Sequence, residues 1–167
     1  SGKLIDLGAW GSVKGIENLY EVKTSSGNDV FKIDQLTAVD ITSGGGDDKI
    51  TVADGGASVD AGLGDDIVRT GAGNDYVVGG AGADTVYLGD GDDQADTGGG
   101  SRATTEAEKV FGEGGDDNIY TAAGADRLDG GGGDDDSFAG GGADVVEGGE
   151  GNDTIHGEGG ADRIAGG

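Results

Sequence analysis

The sequence has no cysteine, no proline and no methionine, and only one tryptophan and one histidine. Without cysteine there is no disulfide framework and no thiolate-ligated zinc or iron–sulfur centre. A single histidine cannot build the multi-imidazole sites that suit zinc and copper. Basic residues are scarce too: 10 Lys and Arg stand against 34 Asp and Glu, a formal net charge of −24. So acidic a chain repels phosphate, which argues against nucleic acid and anionic lipid as partners and for a cation. Apolar runs extend only a few residues, so no membrane span is expected. Hydrophobic residues make up 33% of the chain. That is too few to offset backbone entropy unless something neutralises the acid. There is no HExxH, GxSxG or P-loop signature, and no catalysis is expected within this segment.

What the sequence has in excess is glycine, 41 of 167 residues. The glycines do not recur every third residue and proline is absent, which excludes a collagen-like helix. They recur with a period of nine. The frame is set by AGLGDDIVR (61–69), TGAGNDYVV (70–78), GGAGADTVY (79–87) and LGDGDDQAD (88–96). It resumes with GEGGDDNIY (112–120) and runs to GEGGADRIA (157–165), while TSSGNDVFK (24–32) and SGGGDDKIT (43–51) fit upstream. Twelve units keep Gly at the fourth position and Asp at the sixth. The eighth position is mostly branched or apolar, with Ala95 and Ser137 the weak exceptions. Residues 34–42 and 52–60 keep Ile41 and Val59 but lose the sixth-position Asp.

Each unit reads as six turn residues followed by a three-residue strand, with the eighth side chain inward and its neighbours outward. Such a strand buries too little alone and must stack on copies of itself. The expected fold is therefore all-β: a right-handed parallel β-roll, two units to a coil. Residues 1–23 are expected to form opening strands or a cap, with Trp10 a candidate cover for the first coil. Residues 24–96 form a first block of repeats and 112–167 a second. Residues 97–111 form an enlarged turn with one strand, in which Val110 fills the inward slot. All belong to one continuous domain. Gly166 and Gly167 open a further unit, so the array is expected to be cut there.

Units two apart lie on the same side of such a roll, so their sixth-position carboxylates face one another. Two carboxylates that close repel unless a cation sits between them. The expected ligands are Asp29, Asp48, Asp66, Asp75, Asp84, Asp93, Asp117, Asp126, Asp135, Asp144, Asp153 and Asp162. Turn carbonyls would complete the shell, at Gly62, Gly64, Gly71, Gly73, Gly80, Gly82, Gly131, Gly133, Gly140, Gly142, Gly149 and Gly151. An oxygen-only, flexible cage suits calcium better than magnesium. Nine facing pairs are expected, hence up to nine calcium ions. The enlarged turn should interrupt one column and leave Asp84 and Asp126 at half-built sites. A retaining glycosidase also uses facing carboxylates, but recurrence at every rung marks a metal array.

This nonapeptide, G-G-x-G-x-D-x-U-x, resembles the calcium-binding repeat of the RTX (haemolysin-type) family over roughly residues 24–165. The lead-in GIENLYEV followed by SSGNDVF is similar to what precedes such repeats. The resemblance implies a secreted or cell-surface bacterial protein, exported by type I machinery, whose repeats fold on calcium outside the cell. It implies no single activity. Two other roles fit the residues: a stiff spacer or assembly segment of an adhesin or surface-layer protein, and a polysaccharide-binding accessory of an extracellular enzyme. Tyr120, Phe138 and His156 are 18 apart and outward, a ladder that can hold a glycan or a protein partner, or simply brace the sheet. Tyr87 and Phe111 form a shorter patch opposite. The enlarged turn reads as a tolerated insertion or a recognition loop.

Overall fold

A computed structural model describes residues 3–6, 19–34, 38–98 and 105–167. Trp10 and residues 99–104 of the enlarged turn lie outside the described residues. Among the described residues every regular element is a strand, every strand pairing is parallel, and no helix is long and apolar enough to cross a membrane. From Leu19–Lys23 onward the strands alternate between two main sheets along the chain, and Gly141–Gly142 pairs with Gly159–Gly160 in a short third sheet. Sheet I holds Lys3–Asp6, Leu19–Lys23, Val39–Thr42, Ala57–Leu63, Tyr76–Ala81, Gln94–Asp96, Asn118–Tyr120, Asp136–Phe138 and Thr154–His156. Sheet II holds Val30–Ile33, Lys49–Val52, Ile67–Arg69, Thr85–Asp90, Lys109–Gly114, Arg127–Gly132, Val145–Glu150 and Arg163–Ala165. Spatial order equals chain order in both, which makes the molecule a β-solenoid of about 8 turns, a parallel β-roll.

The register follows the repeat. Val59 pairs with Val77, Val68 with Val86, and Leu128 with Val146, each 18 residues apart. One extra residue in the opening coil stretches Phe31 to Ile50 to 19. The enlarged turn stretches Val86 to Val110 and Ala95 to Ile119 to 24. Val110 is nevertheless fully buried, between Val86 and Leu128. The inward register thus resumes unshifted beyond the insertion, because sliding either sheet by one residue would turn its apolar side chains outward.

The eighth-position residues form the core as the alternation requires, from Phe31 to Val146. Ile164 departs from that expectation: it is 52% exposed, because its strand is the last of sheet II and no described coil covers it. A second departure is wider. Several strands run six residues rather than three, through the third position of the next unit, as in Thr85–Asp90 and Arg127–Gly132. The first position is then a second inward slot, filled by Ser43, Ala61, Leu88, Thr97 and Ala139, all fully buried. At Thr24, Ser43, Thr70 and Thr121 the hydroxyl donates to the first-position carbonyl two units on, whereas that of Thr97 is buried without a partner. Ser43 does so to Ala61 at 2.7 Å and Thr121 to Ala139 at 2.9 Å.

Ser137 is the flaw in the core. It is buried between Ile119 and Ile155, and its hydroxyl has no hydrogen-bond partner. An unsatisfied buried hydroxyl costs about 1–3 kcal/mol. Ser137→Val should therefore raise stability by about 1 kcal/mol, read as a higher urea midpoint in saturating calcium; an unchanged or lower midpoint would show the slot to be already relieved.

Candidate metal-binding columns

Each sixth-position acid sits immediately before a strand, so the sheets fix where the acids lie. Those preceding sheet II form one column: Asp29, Asp48, Asp66, Asp84, Asp126, Asp144 and Asp162. Those preceding sheet I form another: Asp75, Asp93, Asp117, Asp135 and Asp153. Within a column the contact is always the same. The backbone N–H of one acid donates to a carboxylate oxygen of the acid one coil later. Asp48 to Asp66 is 2.7 Å, Asp66 to Asp84 2.9 Å, Asp93 to Asp117 2.9 Å and Asp117 to Asp135 2.8 Å.

The expected break in the first column is absent. Asp84 donates its N–H to Glu108 at 3.0 Å, and Glu108 donates its own to Asp126 at 2.9 Å. Asp84 and Asp126 are therefore interior members of a run of eight acids. The signal was present in the sequence, because Glu108-Lys109-Val110 repeats the acid, outward, inward order of Asp66-Ile67-Val68. At the start of the second column the acid slot holds Val39 and Ala57, both buried in the core.

The ladder satisfies only one oxygen of most carboxylates. Asp48, Asp66, Asp75, Asp84, Asp93, Glu108, Asp117, Asp126, Asp135 and Asp144 each keep a second oxygen buried and without a hydrogen-bond partner, and Asp29 keeps both of its own. Burying an unpaired charge in this way is strongly unfavourable. The shape of the turns leaves room for these oxygens. A Cβ at Gly79 would lie 2.5 Å from the free oxygen of Asp84, and one at Gly112 2.3 Å from that of Asp117. Glycine at the first position is thus a steric requirement there.

The glycines expected to supply carbonyls are at the second and fourth positions. All of them have positive φ except Gly71. Gly82 shows why no side chain fits: a Cβ there would lie 2.1 Å from the Gly64 carbonyl oxygen one coil earlier. Several of these carbonyls already accept a backbone N–H, among them Gly71 from Asp90, Gly140 from Gly159 and Gly142 from Ala161. Glu113 and Glu158 hold the second-position turn at φ 72° and 58°, a left-handed strain of roughly 1–2 kcal/mol for a residue with a Cβ.

A further ladder had no counterpart in the sequence reading. At the exposed fifth position, Asp65 accepts the Ala83 N–H at 2.8 Å, and Asp116 accepts that of Asp134 at 2.8 Å. Among the described residues no three acidic or imidazole side chains converge on one point. A cation between coils would therefore meet two carboxylates and complete its shell from backbone carbonyls. The donor set is oxygen alone, because His156 lies on the outer face of sheet I, stacked on Phe138. Orphaned buried carboxylate oxygens in glycine-lined turns fit a hard, flexible cation, which is calcium's preference.

A model of the RTX calcium-binding nonapeptide repeat matches the chain in four copies, over residues 60–95, 103–137, 111–146 and 138–167. No curated protein and no solved structure matches it. These repeats span more than half of the sequence, and the chain belongs to the RTX calcium-binding repeat family. It is a calcium-binding structural module.

Burial pushes the carboxyls of Asp48, Asp66, Asp75, Asp84, Asp93, Glu108, Asp117, Asp126, Asp135 and Asp144 upward, opposed by the backbone N–H each accepts and, in most of them, reinforced by neighbouring acids. Asp66, Asp84, Asp93 and Asp117 are pushed up to about 7 and Glu108 to about 8. A folded pKa above the unfolded value stabilises the fold below the unfolded pKa, and that stability is lost as pH rises through the folded pKa. Without calcium the chain should therefore gain β-structure on acidification from about pH 8 to about pH 4. With calcium the dependence should reverse, because protons compete for the same oxygens. Far-ultraviolet circular dichroism against pH checks both; a calcium-free chain whose spectrum ignores pH would remove the carboxylates as the barrier.

Proposed function

We propose that this module is a folding switch of an exported bacterial protein. In low calcium the acidic, glycine-rich chain stays largely disordered, a state suited to passage through type I export machinery. Outside the cell, calcium enters between successive coils and the roll assembles. The observation that carries this reading is the row of buried carboxylate oxygens with no partner: once ionised, they hold charge inside the fold that a bound cation would offset. Family membership supports export, and so does the coupling of metal binding to folding in sites the unfolded chain lacks. Extracellular calcium modules have affinities of roughly 10⁻⁴–10⁻³ M, which keeps the fold off in a low-calcium cytoplasm. Within the columns, the Asp set and Glu108 would hold the ions through their free oxygens, and the bound ion would supply the positive charge. No residue is assigned a catalytic role.

The outward aromatics support a structural part for the sheet faces. Tyr120, Phe138 and His156 stack at centroid distances of 5.0 and 4.5 Å, within 10° of parallel. Tyr87 and Phe111 stack at 4.8 Å, with the Arg69 guanidinium 4.2 Å above the Tyr87 ring. Rings stacked on one another cover the faces that a sugar ring would need. This favours cross-strand bracing over a glycan platform.

A calcium titration followed by far-ultraviolet circular dichroism, with magnesium as control, tests the switch. The expected result is a cooperative gain of β-structure near millimolar calcium that magnesium does not reproduce. A chain fully folded in chelator at neutral pH would leave it a permanent spacer with incidental ions.

A further inference from the structure

We infer that Glu108, which lies outside the nonapeptide's aspartate pattern, is a calcium ligand that carries the first column unbroken across the inserted turn. The inference rests on the calcium reading above and adds two ion positions to it, one with Asp84 and one with Asp126. Glu108 is 2% exposed, and its Oε1 is buried without a hydrogen-bond partner. Asp84 and Asp126, equally buried, each keep an orphaned Oδ2. Three carboxylates one coil apart thus each present one free oxygen, as every other interior acid of the column does.

The backbone around Glu108 reproduces that of an ordinary repeat. The Lys109 N–H donates to the Asp84 carbonyl at 2.9 Å and the Arg127 N–H to the Glu108 carbonyl at 2.9 Å. These match the bonds of Ile67 to Asp48 at 2.9 Å and Thr85 to Asp66 at 2.8 Å. The fourth-position carbonyl is also in place. That of Glu106 lies where a Cβ on Gly124 would clash, just as that of Gly64 does against Gly82. Four residues before the strand, 105–108, have therefore kept the turn's form while losing its glycine and its aspartate.

The alternative is that Glu108 is a protonated plug. The second column shows what a plug looks like when no acid is needed: Val39 and Ala57 fill the same slot with apolar atoms. An acid of Glu108's length, kept where valine fits, argues for a charge at that place.

The test is the number of calcium ions bound per chain at saturation, measured by equilibrium dialysis with elemental analysis, with folding followed by circular dichroism. Glu108→Gln should bind two fewer ions than the parent, as should Asp66→Asn within the same column, while Asp96→Asn on the outer face of sheet I binds the full number. Glu108→Val, which copies the apolar plug of the second column, should fold in calcium and show the same loss of two. Glu108→Asp should restore the count. Unchanged stoichiometry in Glu108→Gln and Glu108→Val, with ions lost in Asp66→Asn, would overturn the assignment. So would a loss of more than two ions in both Glu108 variants through failure to fold. A parent chain that binds no calcium would instead overturn the reading on which it rests.

Discussion

Every other feature of this roll is subordinate to one constraint: like charges are stacked, buried, at the strand spacing of a β-sheet. Parallel strands lie about 4.8 Å apart, and the acid before each strand is held to that repeat by the ladder N–H it accepts. At that distance and an effective dielectric near 20, two carboxylates repel by about 3 kcal/mol. The columns contain eleven such steps between acids. Even a fraction of that repulsion at each step rivals the total stability of an ordinary domain, about 5–15 kcal/mol. The fold with empty columns and ionised acids is therefore not a resting state. The same closeness makes it a good host for divalent ions, since each interior carboxylate faces a neighbour on both sides.

The glycines and the core serve this arrangement in different ways. Glycine at the second and fourth positions lets each turn stack directly on the carbonyl oxygens of the turn before it. At the first position it clears the space into which the free carboxylate oxygen points. The core then needs only one apolar residue per short strand, because cohesion along the roll comes from the sheet ladders and the turn columns. That explains how Ala95 and Ser137 are tolerated in a slot otherwise held by Val, Ile, Leu or Phe, and how a net charge of −24 coexists with an ordered fold.

Much of this was legible in the sequence because the repeat is short and the chemistry of each position is nearly constant. The period of nine gave the two-sheet roll, the 18-residue register and the column acids. What escaped had physical reasons. Glu108 was hidden by searching for aspartate within a fixed frame, when the frame had been shifted by the insertion and only the step from acid to inward apolar residue survived. The inward first position was hidden by composition: Gly, Ser and Thr there look like turn residues, yet they are buried and most of the hydroxyls bond along the core. The fifth-position ladder of Asp65 and Asp116 looked like solvated charge, because a side chain accepting a backbone N–H leaves no periodic apolar signal.

The two ends of the roll are not equivalent, and the difference lies in what replaces the ion. In the opening coils each strand sends two apolar side chains inward: Phe31 with Ile33, Val39 with Ile41, Ile50 with Val52. There one column has acids, Asp29 and Asp48, while the other is closed by Val39 and Ala57. Further along, strands such as Gln94–Asp96, Asn118–Tyr120 and Asp136–Phe138 bury a single residue each, and both columns are acidic. Apolar burial thus falls along the chain as carboxylate burial rises. Hydrophobic contact forms without a ligand, whereas the columns require one. On the proposed calcium reading, the opening coils are the part of the roll with the least need of the ion, and each later coil would rely on the surface below it and on ions held between them. A stacked solenoid grows by neighbour contacts, so under that proposal this gradient places the template at the apolar end and leaves its extension to the metal.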